Sequence, residues 1–255
     1  MLAQERQQQI LTLLEVNGTV RTIDLAEEFQ VTDETIRRDL QVLADNGQLS
    51  RIHGGAASLN GRPKLQSFSE RSLINVEKKR LIARAALERV QPGRTYAFDS
   101  STTVFELVRM LPDLPYRVVT NAYAVLEELI GREQVELIST GGRYHPKTQT
   151  FVGGDSINAM RRHNVNLAFV SCIGLDLDQG AAEGFEEQAI FKENLVQMAE
   201  QTILLMDSTK LNRRSEYFFA NLSQIGGVIT DSEADPSLVR RLIATGCPVH
   251  LAPSE

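Results

Sequence analysis

Between residues 96 and 251, short apolar runs alternate with helical patterns, and this alternation restricts the chain more than any other feature it carries. The runs at 96–98, 117–119, 135–138, 167–170, 202–206, 228–229 and 249–251 read as strands. The periodic stretches at 103–110, 122–130, 156–162, 186–200 and 236–244 read as helices. Strands joined through helices pair in parallel, because the crossover helix returns the chain to the same end of the sheet. The expected fold class is α/β, a mainly parallel sheet covered by helices.

The segments at the strand ends bear on function. The first strand leads into Asp99-Ser100-Ser101-Thr102-Thr103, the second into Thr120-Asn121, the third into Thr140-Gly141-Gly142, the fourth into Ser171 and Gly174, and the fifth into Asp207-Ser208-Thr209-Lys210. In a parallel sheet these are carboxyl ends of strands, where ligand crevices form. Small hydroxyls, glycines and helix N-termini there offer hydrogen-bond donors and a positive dipole to an anion such as phosphate. The candidate contacts are Asp99, Ser100, Ser101, Thr102, Thr103, Thr120, Asn121, Gly141, Gly142 and Lys210, the last as a point charge, with Arg143 or Lys192 as further cations. The same residue types also cap helices and make turns with no ligand at hand.

The first sixty residues carry a different pattern. Ile10, Leu11, Leu13 and Leu14 give residues 4–16 a helical period that breaks at Asn17-Gly18. A second helix comes next, with Thr22 as candidate cap, Asp24 in its first turn, and Ile23, Leu25, Ala26 and Phe29 as its apolar face. Thr32 is the candidate cap of a third helix running to Asn46-Gly47, and two helices joined by so short a turn make a helix-turn-helix. At about 100° per residue, Ile36, Leu40 and Leu43 form one stripe of the third helix and Arg38 falls nearly opposite. Glu34, Thr35 and Gln41 share that outer half, and Arg37 lies on its flank. Such a face suits the major groove, where Arg bonds guanine and Gln adenine; an ordinary solvated face is the other reading. Residues 48–56 alternate and end in two glycines, which suits a β-hairpin wing with Arg51 and His53 on one side. The net charge of -6 and the five Arg and no Lys against nine Asp and Glu in residues 1–57 oppose DNA binding unless the Arg residues share a face.

The spacing of Arg6, Ile10 and Leu14, then of Thr32-Asp33-Glu34-Thr35-Ile36-Arg37-Arg38-Asp39-Leu40, then of Arg51-Ile52-His53-Gly54-Gly55-Ala56, resembles the N-terminal signature of the DeoR family of bacterial sugar-metabolism repressors. The second part is similar to the same family's effector domain: residues 99–103 stand where the family usually has D-x-G-[ST]-T, Thr120-Asn121 at its T-N, Gly141-Gly142 at its G-G turn, and residues 207–210 at its D-x-S-K. Ser101 replaces the usual Gly. The resemblance implies a winged helix-turn-helix, a larger domain resembling ribose-5-phosphate isomerase, binding of operator DNA through Thr32, Glu34, Thr35, Arg37, Arg38, Gln41, Arg51 and His53, and release by a phosphorylated sugar.

The expected division is a DNA-binding domain at 1–57, a linker at 58–75 containing Asn60-Gly61-Arg62-Pro63, and a sensor domain at 76–255. The start, MLAQERQQQI, has neither the basic segment nor the apolar run of a signal peptide, and no stretch reaches the length of a membrane span, so a cytoplasmic chain without a membrane partner is expected. Cys172 and Cys247 read as small core residues. No catalytic residue, metal ion or cofactor is expected, and a homo-oligomer, dimer or tetramer, is expected because paired reading heads double the base contacts. Two alternatives stand beside this reading: a sugar-phosphate isomerase using Asp99, Glu187 or Asp207 as acid and base, and a DNA-binding protein whose α/β domain only oligomerises.

Overall fold

The computed structural model describes residues 2–52, 54–58 and 66–254, with residues 15–17 by backbone alone. The chain divides into two compact units, Met1–Gln66 and Ser67–Glu255. In the first, α1 (Ala3–Asn17), β1 (Thr19–Arg21), α2 (Thr22–Glu28), α3 (Asp33–Asp45), β2 (Ser50–Ile52) and β3 (Gly55–Ala57) form a winged helix. Ile10, Leu14, Leu25, Leu49 and Ala56 close its core around the Ile36, Leu40 and Leu43 stripe of α3. The Thr32 hydroxyl caps α3 by accepting the Thr35 N–H, and Gly47 ends it at a φ of +67°.

Two features of this unit depart from the expectations set by its sequence. Thr22 does not cap α2; it is the first helical residue and is buried, while Arg21 occupies the cap. The Thr22 N–H donates to the Gly54 carbonyl at 2.8 Å, so the wing fixes this helix start. The wing also has a third strand, in the antiparallel order β1-β3-β2; the three residues of β1 are too few to show a period. The close pairing needs glycine at 55, since a Cβ there would lie 1.9 Å from the Val20 carbonyl oxygen. His53, expected beside Arg51, lies outside the described residues.

The second unit opens with α4 (Phe68–Ser72) and α5 (Val76–Leu87), then β4 (Thr95–Phe98), α6 (Thr102–Met110), β5 (Tyr116–Thr120), α7 (Tyr123–Leu129) and β6 (Val135–Ser139). It continues with β7 (Arg143–His145), β8 (Thr150–Val152), α8 (Gly154–Met160), β9 (Leu167–Val170), β10 (Gly174–Asp176), β11 (Gly180–Glu183) and α9 (Glu186–Met198), and ends with β12 (Thr202–Leu205), β13 (Tyr217–Ala220), β14 (Gly227–Asp231), α10 (Pro236–Ala244) and β15 (Val249–Ala252). All seven expected strands join one sheet of order β15-β14-β12-β9-β4-β5-β6, parallel throughout. Its pleat sends Tyr96, Phe98 and Phe169 to one face, against Ile82, Leu107 and Val125 of α5, α6 and α7. The smaller Ala97, Ala168 and Val170 go to the other, against Phe191, Leu195 and Leu242 of α9 and α10. Phe98 and Phe169 stack at 5.6 Å between ring centroids.

The antiparallel pair β7–β8 and the small sheet β10-β11-β13 were not anticipated, being short and, in the case of Gly180–Glu183, nearly without large apolar residues. Nor is the stretch 58–75 a bare linker. Its second half forms α4, opened by a reciprocal Ser67–Glu70 capping box, and buries Phe68 against Phe105 at 5.4 Å. A single buried aromatic among polar residues gives no periodic signal. Among the described residues no helix is long and apolar enough to cross a membrane. The chain runs outward from β4 to β6 on one side and from β9 to β15 on the other, so strand order reverses between β4 and β9. Such a reversal opens a crevice at the carboxyl ends of the two strands.

Candidate functional site

The outer face of α3 is built from helix geometry and one buried ion pair. Arg37 and Arg38 are exposed, whereas Asp39 is buried and receives Arg6 Nε at 2.6 Å and Gln7 Nε2 at 2.9 Å from α1. This lock, which the sequence pattern did not suggest, fixes the rotation of α3 and so the direction of its arginines. Thr32 and Thr35 are bonded hydroxyl to hydroxyl at 3.0 Å, Glu34 lies 4.0 Å from Arg37, and Gln41 donates to Asp45 at 2.8 Å. Arg51 of β2 donates to the Arg37 carbonyl at 3.4 Å, fastening the wing to the helix. Arg38 alone of these side chains has no hydrogen bond or ion pair among the described residues.

At the strand reversal Asp99 joins β4 to β9. Its Oδ1 accepts the Ser101 N–H and its Oδ2 the Ser171 N–H, both at 2.9 Å, and Lys192 Nζ of α9 lies 2.9 Å from Oδ2. Lys192 also donates to the Ser171 carbonyl at 2.7 Å and to Glu183 of β11. Burial alone would lower the Lys192 pKa, but Asp99 and Glu183 raise it above its usual value. This cation is therefore committed to the frame rather than available as a phosphate partner. Arg143 is likewise held, with two bonds from one nitrogen to Glu187.

The other expected residues occupy the same edge of the sheet. The Ser100 hydroxyl accepts from Gln188 at 2.9 Å; the Thr120 hydroxyl donates to the Phe98 carbonyl and accepts the Ala122 N–H; Asn121 Nδ2 donates to the Phe151 carbonyl. Gly142, at φ +108°, is required by packing, for a Cβ there would meet the Val152 carbonyl oxygen at 2.8 Å, whereas the space at Gly141 is open. Lys210 ends a 3-10 turn capped by Asp207 and lies 3.9 Å from that carboxylate. Burial would raise the Asp207 pKa, yet Lys210, the Thr209 hydroxyl and amide, and Lys79 hold it below its usual value.

Three polar atoms at these strand ends are buried with no hydrogen-bond partner: Thr103 Oγ1, Asn121 Oδ1 and Ser171 Oγ. Nη2 of Arg71 in α4, a residue that falls in the expected linker, is another, as are side-chain atoms of Arg117, Thr202, Ser215 and Thr230. Lys79 of α5 lies in a basic cluster, Lys78-Lys79-Arg80, yet it is buried and donates to the Arg71 carbonyl at 2.5 Å. Burial, with Lys210 and Arg71, pushes its pKa down to about 8 against the opposing Asp207 and Glu106. Cys172 is buried and its thiol pushed up to about 12 by burial, which leaves it unreactive.

Two domain families match the chain in tandem, the DeoR-like helix-turn-helix domain over residues 6–62 and the DeoR C terminal sensor domain over residues 74–232. The chain belongs to the DeoR family. This DeoR-family transcriptional regulator is 38% identical to the HTH-type transcriptional regulator YulB of Bacillus subtilis, over 95% of this chain and 94% of the relative. It is 34% identical to an L-fucose operon activator of Haemophilus influenzae, over 91% and 94%, and 31% identical to a putative aga operon transcriptional repressor of Escherichia coli O157:H7, over 97% and 93%. A ribose 5-phosphate isomerase from Methanocaldococcus jannaschii is similar at a TM-score of 0.41 and 14% identity, covering 53% of this chain and 54% of that one; fold and family rest on the domain matches. Where the DeoR family usually has Gly, Ser101 has an ordinary φ of -80° and its hydroxyl caps α6 by accepting the Val104 N–H. Arg71 falls between the two DeoR matches, outside both.

Proposed function

We propose that this DeoR-family chain represses a sugar-metabolism operon and leaves its operator when a phosphorylated sugar occupies the crevice at the ends of β4 and β9. The observation that carries the effector half of this reading is the set of unpartnered buried atoms, Thr103 Oγ1, Asn121 Oδ1 and Ser171 Oγ, on adjacent strand ends. A buried polar atom without a partner costs about 1–3 kcal/mol, and sugar hydroxyls are partners of the right kind. The free guanidinium of Arg38, on a helix whose rotation is fixed by the Arg6–Asp39 pair, supports the DNA half. With strands about 4.8 Å apart, the ends of β12 and β6 are separated by four spacings, about 19 Å. One small sugar does not span both Lys210 and the Gly141-Gly142 turn, so the proposed pocket centres on Asp99, Ser100, Ser101, Thr102, Thr103 and Ser171, with Thr120 and Asn121 on one side and Lys210 on the other.

The site favours a sensor over an isomerase. The Asp99 carboxylate already meets three donors and so is committed to the frame, and Asp207 is held below its usual pKa, so it is not poised to take up a proton at neutral pH. One relative is named as an activator and another as a repressor; repression is proposed here from the DeoR-family resemblance. The test is anisotropy of labelled DNA from the chain's own upstream region, titrated with protein and a panel of pentose and hexose phosphates beside their unphosphorylated sugars. We expect one phosphorylated sugar to weaken DNA binding by about 5- to 150-fold. Tighter DNA binding with the sugar phosphate would overturn the sign, and its chemical turnover would overturn the regulator reading.

A further inference from the structure

We propose that α4 supplies the anion-reading arginine of the sensor: Arg71 takes the phosphate of the effector as a guanidinium fork, with Lys79 and Lys210 setting the positive field around it. The inference rests on the reading above, that a phosphorylated sugar enters the β4–β9 crevice.

The starting point is a guanidinium without a hydrogen bond or an ion pair among the described residues. Arg71 is half-buried as a residue, with its guanidinium carbon over the Phe68 ring, 5.7 Å from the centroid. Its Nη2, however, is closed off from solvent and makes no hydrogen bond. Burial lowers its pKa, and the nearby charges that oppose this are Glu183 and Asp99, the two carboxylates of the crevice frame. Neither forms an ion pair with Arg71, since both are engaged by Lys192. Arg71 thus faces the strand ends at the reversal without being neutralised there. An arginine fork matches two phosphate oxygens at once, which a lysine does not.

The backbone that carries this side chain is held in place. Lys79 Nζ donates to the Arg71 carbonyl, and the Thr102 hydroxyl, on the first turn of α6, donates to the same oxygen at 3.5 Å. Around the crevice the cations Arg71, Lys79, Lys192 and Lys210 stand among the carboxylates Asp99, Glu106, Glu183 and Asp207. Burial, with Lys210 and Arg71 nearby, lowers the Lys79 pKa, and an anion set beside these three cations would favour its charged form. Lys210, Arg143 and Lys192 are the cations the sequence offers; Lys192 is spent on the frame, Arg143 is paired with Glu187, and Lys210 has Asp207 as its near neighbour.

The test uses the full-length chain, wild type, Arg71→Met and Arg71→Lys. Methionine keeps the stem against Phe68 without the charge, and lysine keeps the charge without the fork. Melting temperatures are measured without ligand and with ribose 5-phosphate, fructose 6-phosphate, the corresponding free sugars and inorganic phosphate at fixed ionic strength, followed by calorimetry with the sugar phosphate that shifts the wild type. We expect Arg71→Met to weaken that ligand by about tenfold to a hundredfold, the range for losing a charged hydrogen-bond partner, with Arg71→Lys between. Without ligand, Arg71→Met should melt within about 2 °C of wild type or higher, since the guanidinium it removes has no hydrogen bond or ion pair to lose and a thioether can still pack against the Phe68 ring. Wild-type affinity in Arg71→Met, with the sugar phosphate still bound, would overturn the role of Arg71 and leave the effector reading standing. A large fall in the ligand-free melting temperature would overturn it too, by making Arg71 a structural cation. If no sugar phosphate shifts the wild type, the effector reading fails, and this inference with it.

Discussion

Arg37 and Arg38 face solvent, while the next residue, Asp39, is buried against Arg6. Substitutions at these neighbours should therefore separate cleanly. Arg38→Ala should leave the melting temperature unchanged and reduce discrimination between operator and mismatched DNA by about 1–3 kcal/mol per reading head; an equal loss on random DNA would make Arg38 a phosphate contact instead. Asp39→Ala strands Arg6 in the core and should destabilise the first unit by about 3–5 kcal/mol in chemical denaturation. The position of Asp39 could have been read from the sequence, since at about 100° per residue it falls about 60° from Ile36, on the buried side of α3. Lys79 makes a prediction of another kind. Its folded pKa of about 8 lies below the usual 10.5, set by burial with Lys210 and Arg71 against Asp207 and Glu106. The folded chain gives up this proton first, so stability rises as pH climbs from about 8 to 10.5. The melting temperature of the wild type, taken relative to Lys79→Met, should climb between about pH 8 and 10.

The wing and the sheet differ in how much of them the residue pattern betrays. Thr202–Leu205 and Leu167–Val170 are unbroken runs of buried side chains, so their strands were legible. Gly180–Glu183 is equally buried, but it is built from small residues, and the Glu183 that meets Lys192 sits in a run with Glu186 and Glu187 that reads as solvated surface. Likewise the strand-end residues after β4, β5 and β12 were legible as clusters, whereas Arg71 is one arginine in a polar stretch and is meaningful only once Phe68 anchors α4. In the wing, Gly55→Ala would press a methyl group against the Val20 carbonyl and part β3 from β1. We expect it to destabilise the first unit by about 1–3 kcal/mol or more and to weaken DNA binding, with ligand binding by the α/β unit unchanged in calorimetry.

The first unit carries one winged helix, which bears on the assembly expected on DNA. One α3 offers a handful of base contacts, and two heads on half-sites one DNA turn apart, about 34–36 Å, double them. We expect sedimentation with operator present to give a dimer or tetramer; a monomer at micromolar concentration would contradict it.

The docking of α4 on α6 also dictates where the two units can be cut apart. A sensor fragment beginning at residue 74, where the family match starts, leaves Phe68 behind and uncovers the half-buried Phe105. Removing a buried ring of that size forfeits about 1.5–3 kcal/mol of burial and opens a sticky patch. Such a fragment should bind a hydrophobic dye and melt lower than one beginning at residue 66, and any chimeric protein that borrows this sensor-domain half should inherit its seam at Gln66–Ser67.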